Sequence, residues 1–137
     1  MIRILLDTNA YAAFKRGQAE AVAIIQKADV VALTPVVLGE LLGGFAAGAK
    51  ERQNRAELNA FLSAPRVWVA PVDGVTAERY AQVYAALRAA VTPIPTNDMW
   101  IAASAVQHGL RLFTFDAHFQ AVPGLVVGAT VADFASP

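Results

Sequence analysis

The chain has 137 residues, enough for one domain with one core, and it carries eleven basic and eleven acidic side chains, a formal charge of zero and no cysteine. Neutrality excludes the basic excess on which tight nonspecific nucleic-acid binding rests, so contact with RNA has to come from local patches or a partner. The lack of cysteine excludes disulfides, thiolate metal centres and cysteine nucleophiles.

Hydrophobic residues make up 56% of the chain, a surplus that hints at a buried protein–protein interface. No apolar run reaches the ~18 residues of a membrane helix, and Asp7 breaks the first run too early for a signal peptide. A cytoplasmic protein forming a single domain over residues 1–137 is expected.

The first predicted strand is Ile2 to Leu6, followed by a short helix from about Asn9 to Lys15, capped by Thr8 or Asn9 and ended by Gly17. A second helix covers Glu20 to Lys27, and Val30 to Leu33 reads as a second strand. Thr34-Pro35 is a helix start, a hydroxyl cap before proline at the first helical position. That helix carries Glu40 and is expected to stop near Gly43-Gly44. A polar helix covers Lys50 to Leu62, and Val67 to Ala70 is a third strand. Thr76 to Ala90 is a long helix stopped by Pro93 and Pro95. Asn97 to His108 is another, with Thr96 or Asn97 as cap and Gly109 as stop. Arg111 to Phe115 is a fourth strand and Leu125 to Val127 a fifth. Short apolar strands alternating with helices imply a three-layer α/β/α domain on a parallel sheet of four to five strands.

In such a sheet, ligands bind beyond the carboxyl ends of the strands. Asp7 follows the first strand and Asp116 the fourth. From Asp98 to His108 a helix rises ~15 Å at ~1.5 Å per residue. From Arg111 to Asp116 a strand returns ~16 Å at ~3.3 Å per residue. Asp98 and Asp116 should therefore end level. Glu40 lies in the second turn of the helix leaving strand two, among Val36, Val37, Leu38, Leu41 and Leu42, where a buried carboxylate is costly without a purpose. Four carboxylates thus meet at one crevice, and a divalent cation removes their repulsion. An all-oxygen donor set favours Mg²⁺ or Mn²⁺ over Zn²⁺. Such an ion lowers the pKa of a bound water for attack on a phosphodiester.

These residues resemble the PIN-domain family. Ile4-Leu5-Leu6-Asp7-Thr8-Asn9 is similar to its opening motif. Glu40 stands inside an apolar helix like the second acid. Asn97-Asp98-Met99-Trp100-Ile101-Ala102-Ala103 is similar to the third motif. Leu112-Phe113-Thr114-Phe115-Asp116-Ala117-His118-Phe119, followed by Pro123-Gly124-Leu125, resembles the last. Among PIN domains the chain looks most like VapC-type toxins of bacterial toxin–antitoxin pairs.

The resemblance implies a Mg²⁺-dependent endoribonuclease, with Mn²⁺ as substitute, acting on transfer or ribosomal RNA. It also implies homodimerisation and inhibition by a cognate VapB-type antitoxin. Asp7, Glu40, Asp98 and Asp116 are the expected catalytic residues. One ion is expected on Asp7, Asp98 and Asp116, with Glu40 reaching it through water. Many relatives carry an acid or amide where this chain has His118, which argues against a firmly held second ion and leaves His118 as a surface residue.

Thr8, Asn9 and Thr114 are expected to support the acids, and Lys15 and Arg16 to track an RNA backbone. Tyr11, Phe14 and Trp100 are expected to pack. A receiver domain phosphorylated on Asp would need a late lysine, and none follows Lys50. A dehalogenase-type phosphatase would need a second Asp two residues after Asp7, where Asn9 stands. A PIN-fold binding module that has lost catalysis would lack acids that are all present here.

Overall fold

The sheet grows outward from its first strand. β1 (Arg3–Leu6) leads through α1 (Thr8–Lys15) and α2 (Ala19–Lys27) to β2 (Val30–Leu33). α3 (Pro35–Ala47) and α4 (Glu51–Leu62) then connect to β3 (Val67–Val69). α5 (Gly74–Ala89) and α6 (Thr96–His108) carry the chain back across the sheet to β4 (Arg111–Phe113), which pairs on the other side of β1. A 3-10 turn (Ala117–Ala121) precedes β5 (Val127–Gly128) and a final short helix, α7 (Val131–Phe134). This computed structural model describes residues 1–135, so the last two positions of the expected domain lie outside the described residues.

All four strand pairings are parallel, in the order β3-β2-β1-β4-β5. The five-stranded parallel sheet flanked by helices is the α/β architecture expected. Ile4, Leu5 and Leu6 are wholly buried, as in a strand covered on both faces. Because β2 and β4 leave β1 on opposite sides, the direction of winding reverses between β1 and β4. A crevice opens there beyond their carboxyl ends.

Several expected boundaries need correction. α3 runs through Gly43 and Gly44 to Ala47. A helical glycine costs only ~1 kcal/mol relative to alanine, and neither residue takes the left-handed conformation that ends a helix. Gly109 does, at φ 64°, and it stops α6. α5 starts at Gly74, two residues before the expected Thr76, because Asp73 caps it: Asp73 accepts from the Val75 and Thr76 N–H groups while Thr76 accepts from the Asp73 N–H. α6 has Pro95 as its cap residue, with no side-chain capping bond; its extended backbone presents a carbonyl to the Met99 N–H at 3.1 Å, and Thr96 and Asn97 are already helical.

β4 ends at Phe113, because beyond Thr114 the chain's N–H groups turn to side-chain acceptors. Phe115 donates to Asn9 Oδ1 and Asp116 to Thr114 Oγ1. β5, Val127–Gly128, starts two residues later than expected and ends one later, with Gly128 pressed against α7. A Cβ at Gly128 would stand 2.7 Å from both Asp133 Cβ and the Phe134 ring. α7, started by a capping box of Thr130 with Asp133, is only four residues long, too short for a periodic apolar pattern to mark it in the sequence.

Candidate active site

Asp7 is the residue at which β1 becomes α1. Its N–H continues the sheet ladder to the Phe113 carbonyl at 3.0 Å, and its own carbonyl accepts from Ala10 and Tyr11 in the first turn of α1. Asp7 itself is therefore the cap of α1, in place of Thr8 or Asn9. Its carboxylate is 4% exposed and fixed at both oxygens: Oδ1 accepts from the Thr8 N–H at 2.9 Å and Oδ2 from the Thr114 hydroxyl at 2.7 Å. The β1–β4 register, Leu6 opposite Phe113, brings Thr114 beside Asp7. Thr114 Oγ1 also accepts from the Asp116 N–H at 3.0 Å, so one hydroxyl joins the tips of both strands.

Glu40 reaches the same edge from α3. It is half-buried, not sunk in the core, because α3 buries only Val37 and Leu41 fully. The cost of burial is therefore smaller than the apolar sequence around it implied. Its position is set instead by the Thr8 hydroxyl, which donates to Oε1 at 2.6 Å. Thr8 thus touches two acids, Asp7 through its backbone and Glu40 through its side chain. Asn9 lines the crevice and braces Phe115.

Asp98, in the first turn of α6, and Asp116, beyond β4, stand level as the helix–strand return requires. One carboxylate oxygen from each, together with a ring nitrogen of His118, lie within 4.8 Å of one another. Asp7, Thr8, Asn9, Glu40, Thr96, Asn97, Asp98 and Asp116 line one open cavity of about 620 Å³. Burial pushes the Asp7 carboxyl above its ordinary pKa, against the opposing bonds from Thr114 and Thr8, and Glu40 and Asp116 push it further. Asp98 is also raised, first by burial and then by Asp7, with His118 acting in the opposite direction. The cavity therefore holds acids that resist being charged together, an arrangement that an added cation relieves.

His118, expected as a surface residue, stands beside two of the acids. It is not a detached surface side chain: its Nε2 lies 2.8 Å from Asp98 Oδ2 and its Nδ1 3.9 Å from Asp116 Oδ1. The signal in the sequence is its spacing, two residues past Asp116.

Lys15 and Arg16 are not brought to the acids. They line a separate cavity of about 200 Å³ with Tyr11 and α4, where Lys15 pairs with Glu57 at 3.6 Å. Tyr11 packs edge-on against Phe61, and Trp100 stacks on Tyr80 with ring centres 4.2 Å apart. Among the described residues, no helix is long and apolar enough to cross a membrane.

The family model for the PIN domain matches residues 4–125. The chain is 39% identical to Ribonuclease VapC4 of Mycobacterium tuberculosis over 93 residues, 67% of this chain and 71% of that one. Its fold superposes on the crystal structure of VapBC2 from Rickettsia felis bound to a DNA fragment from their promoter, with a TM-score of 0.82 and 26% identity, covering 93% of this chain and 98% of that one. It also matches VapBC-5 from Mycobacterium tuberculosis, a member of the VapBC family of toxin-antitoxin systems, with a TM-score of 0.71 and 30% identity over 91% of this chain and 94% of that one.

Proposed function

The chain belongs to the PIN-domain family, among its VapC-type ribonucleases, and from that premise we propose that it is a metal-dependent endoribonuclease toxin acting through Asp7, Glu40, Asp98 and Asp116 as a single domain over residues 1–137. The observation that carries this reading is the cavity at the β1–β4 switch point, where these four acids line one wall-to-wall crevice and two of them are pushed toward protonation. Their donor set, carboxylate oxygen throughout, fits Mg²⁺, with Mn²⁺ as substitute.

Asp7, Asp98 and Asp116 would hold the ion, and Glu40 would orient water beside it. When bound, the ion supplies a water of lowered pKa and a positive charge against the scissile phosphodiester. Thr8 and Thr114 keep Asp7 and Glu40 in fixed orientations, so that little reorganisation accompanies cation entry. The buried floor at Asp7 and the exposed rim at Asp116 leave the crevice open to an extended RNA strand. RNA of the transfer or ribosomal class is the proposed substrate, with Lys15 and Arg16 following the backbone away from the cut.

The partner proposed is a cognate VapB-type antitoxin, because solved relatives are VapBC assemblies. A homodimer in the cytoplasm is the proposed form of the toxin. The test uses purified protein freed of antitoxin. Mn²⁺- or Mg²⁺-dependent cleavage of RNA should disappear in Asp7→Ala and Asp98→Ala, and expression without a partner should arrest growth. Wild-type cleavage rates in either variant reject the proposed site. Intact folding with no detectable Mn²⁺ or Mg²⁺ binding points instead to a PIN-fold binding module.

A further inference from the structure

His118 stands among side chains whose donor atoms could hold one metal ion. Its two ring nitrogens face two different acids, Asp98 at 2.8 Å and Asp116 at 3.9 Å. One donor atom from each of the three residues falls inside a sphere narrow enough for all three to bind one cation, within 4.8 Å of one another. A surface ion pair alone accounts for one of these approaches but not for the imidazole's place between both acids. The ring is about one-third exposed, so it can turn without disturbing the core. Its backbone is anchored next to Phe119, which is wholly buried, so the imidazole stays at the cavity's rim.

We infer that His118 is a metal ligand in this chain, adding a nitrogen donor to Asp98 and Asp116 and biasing the site toward Mn²⁺-class divalent transition cations over Mg²⁺. Neutral imidazole binds through one nitrogen lone pair, a donor suited to first-row transition ions, whereas Mg²⁺ keeps to oxygen and water. The inference rests on the metal-nuclease reading above and extends it to ion choice. It places Mn²⁺ ahead of the Mg²⁺ that the four acids alone favour, and it gives His118 a role where the sequence suggests a surface residue.

The sequence contains two histidines, which makes the test selective. His108 closes α6 at the end opposite Asp98, some ~15 Å along the helix. Electron spin-echo measurements on the Mn²⁺-loaded full chain, in a buffer without nitrogen ligands, should show ¹⁴N coupling from a directly bound imidazole. That coupling should vanish in His118→Ala and persist in His108→Ala. Calorimetric titration of His118→Ala should show Mn²⁺ affinity falling at least about tenfold while Mg²⁺ affinity changes by less than about threefold. Bound Mn²⁺ without nitrogen coupling in the wild type overturns the inference and leaves the ribonuclease reading standing. Coupling that survives in His118→Ala, or equal losses for both ions, also overturns it. A folded wild-type chain that binds no Mn²⁺ overturns both.

Discussion

Replacing Asp7 by asparagine separates the cost of the site from its use. The substitution keeps the side chain's size and removes its charge from a position 4% exposed. The bond from the Thr8 N–H can be retained by the amide oxygen, and the Thr114 oxygen can accept from the new amide nitrogen. What is lost is a carboxylate that burial and its acidic neighbours both disfavour. A pair of like charges at ~6 Å and an effective dielectric of ~20 repels by ~3 kcal/mol. Exchanging charge-assisted bonds for neutral ones returns ~1–2 kcal/mol of that. The metal-free Asp7→Asn protein should therefore be more stable than wild type at pH 7 by about 1 kcal/mol, a rise of about 3 °C in Tm for a chain of this size. RNA cleavage should fall by at least about 10²-fold, and the rise in Tm that Mn²⁺ gives the wild type should largely disappear. Thermal scans with and without Mn²⁺, beside a gel assay of RNA cleavage, measure all three effects. A variant that melts lower than wild type without metal, yet still cleaves, would refute the assignment of Asp7 as a metal-holding acid whose charge the fold disfavours.

Thr114→Val removes the hydroxyl that donates to Asp7 and accepts from the Asp116 N–H; Mn²⁺ affinity should drop about 10- to 100-fold by calorimetry, with the circular dichroism spectrum unchanged. Gly128→Ala forces a Cβ to within 2.7 Å of Asp133 and Phe134, and urea unfolding should report a loss of about 1–3 kcal/mol. The raised Asp7 and Asp98 groups bind protons in the folded, metal-free chain that the unfolded chain has already released. Their contribution to stability is full below the ordinary aspartate pKa and lost as pH rises through the raised values. Mn²⁺ must displace those protons, so the Tm increase on adding Mn²⁺ should be small at acid pH and grow as pH rises through the same window; a flat profile would remove protonation of these acids from the binding equilibrium.

Much of this architecture was legible in the sequence because strand burial and helix capping are local. Val30–Leu33 and the Thr34-Pro35 helix start fall where composition places them. The meeting of Asp7, Asp98 and Asp116 followed from strand ends and one helix–strand return, geometry that depends on lengths rather than on side-chain detail. What stayed hidden depends on side-chain partners distant in sequence. Thr8 reads as a helix cap until α3 brings Glu40 to its hydroxyl across 32 positions. Asn9 reads as a neighbour of Asp7 until the chain beyond β4 offers it the Phe115 N–H across 106 positions. The end of α3 is hidden for a different reason: glycine's intrinsic cost reads as a stop in sequence, while the left-handed turn that makes a stop is absent at Gly43 and Gly44.

The hydroxyl that ties Asp7 to Thr114 spans 107 positions of chain. During synthesis, Asp7 and Glu40 leave the ribosome long before residue 111 does, and β1 then has only β2 to pair with. Without Thr114, Asp7 has no partner for its second oxygen, and without Asp116 the rim of the crevice is missing. If these acids form the active site as proposed, a nascent chain cannot assemble it until the segment through Asp116 has emerged. A frameshift or early stop anywhere before β4 yields a fragment without the assembled site. On the proposed site, the placement of the last acid beyond the fourth strand would make emergence of that strand a condition for activity.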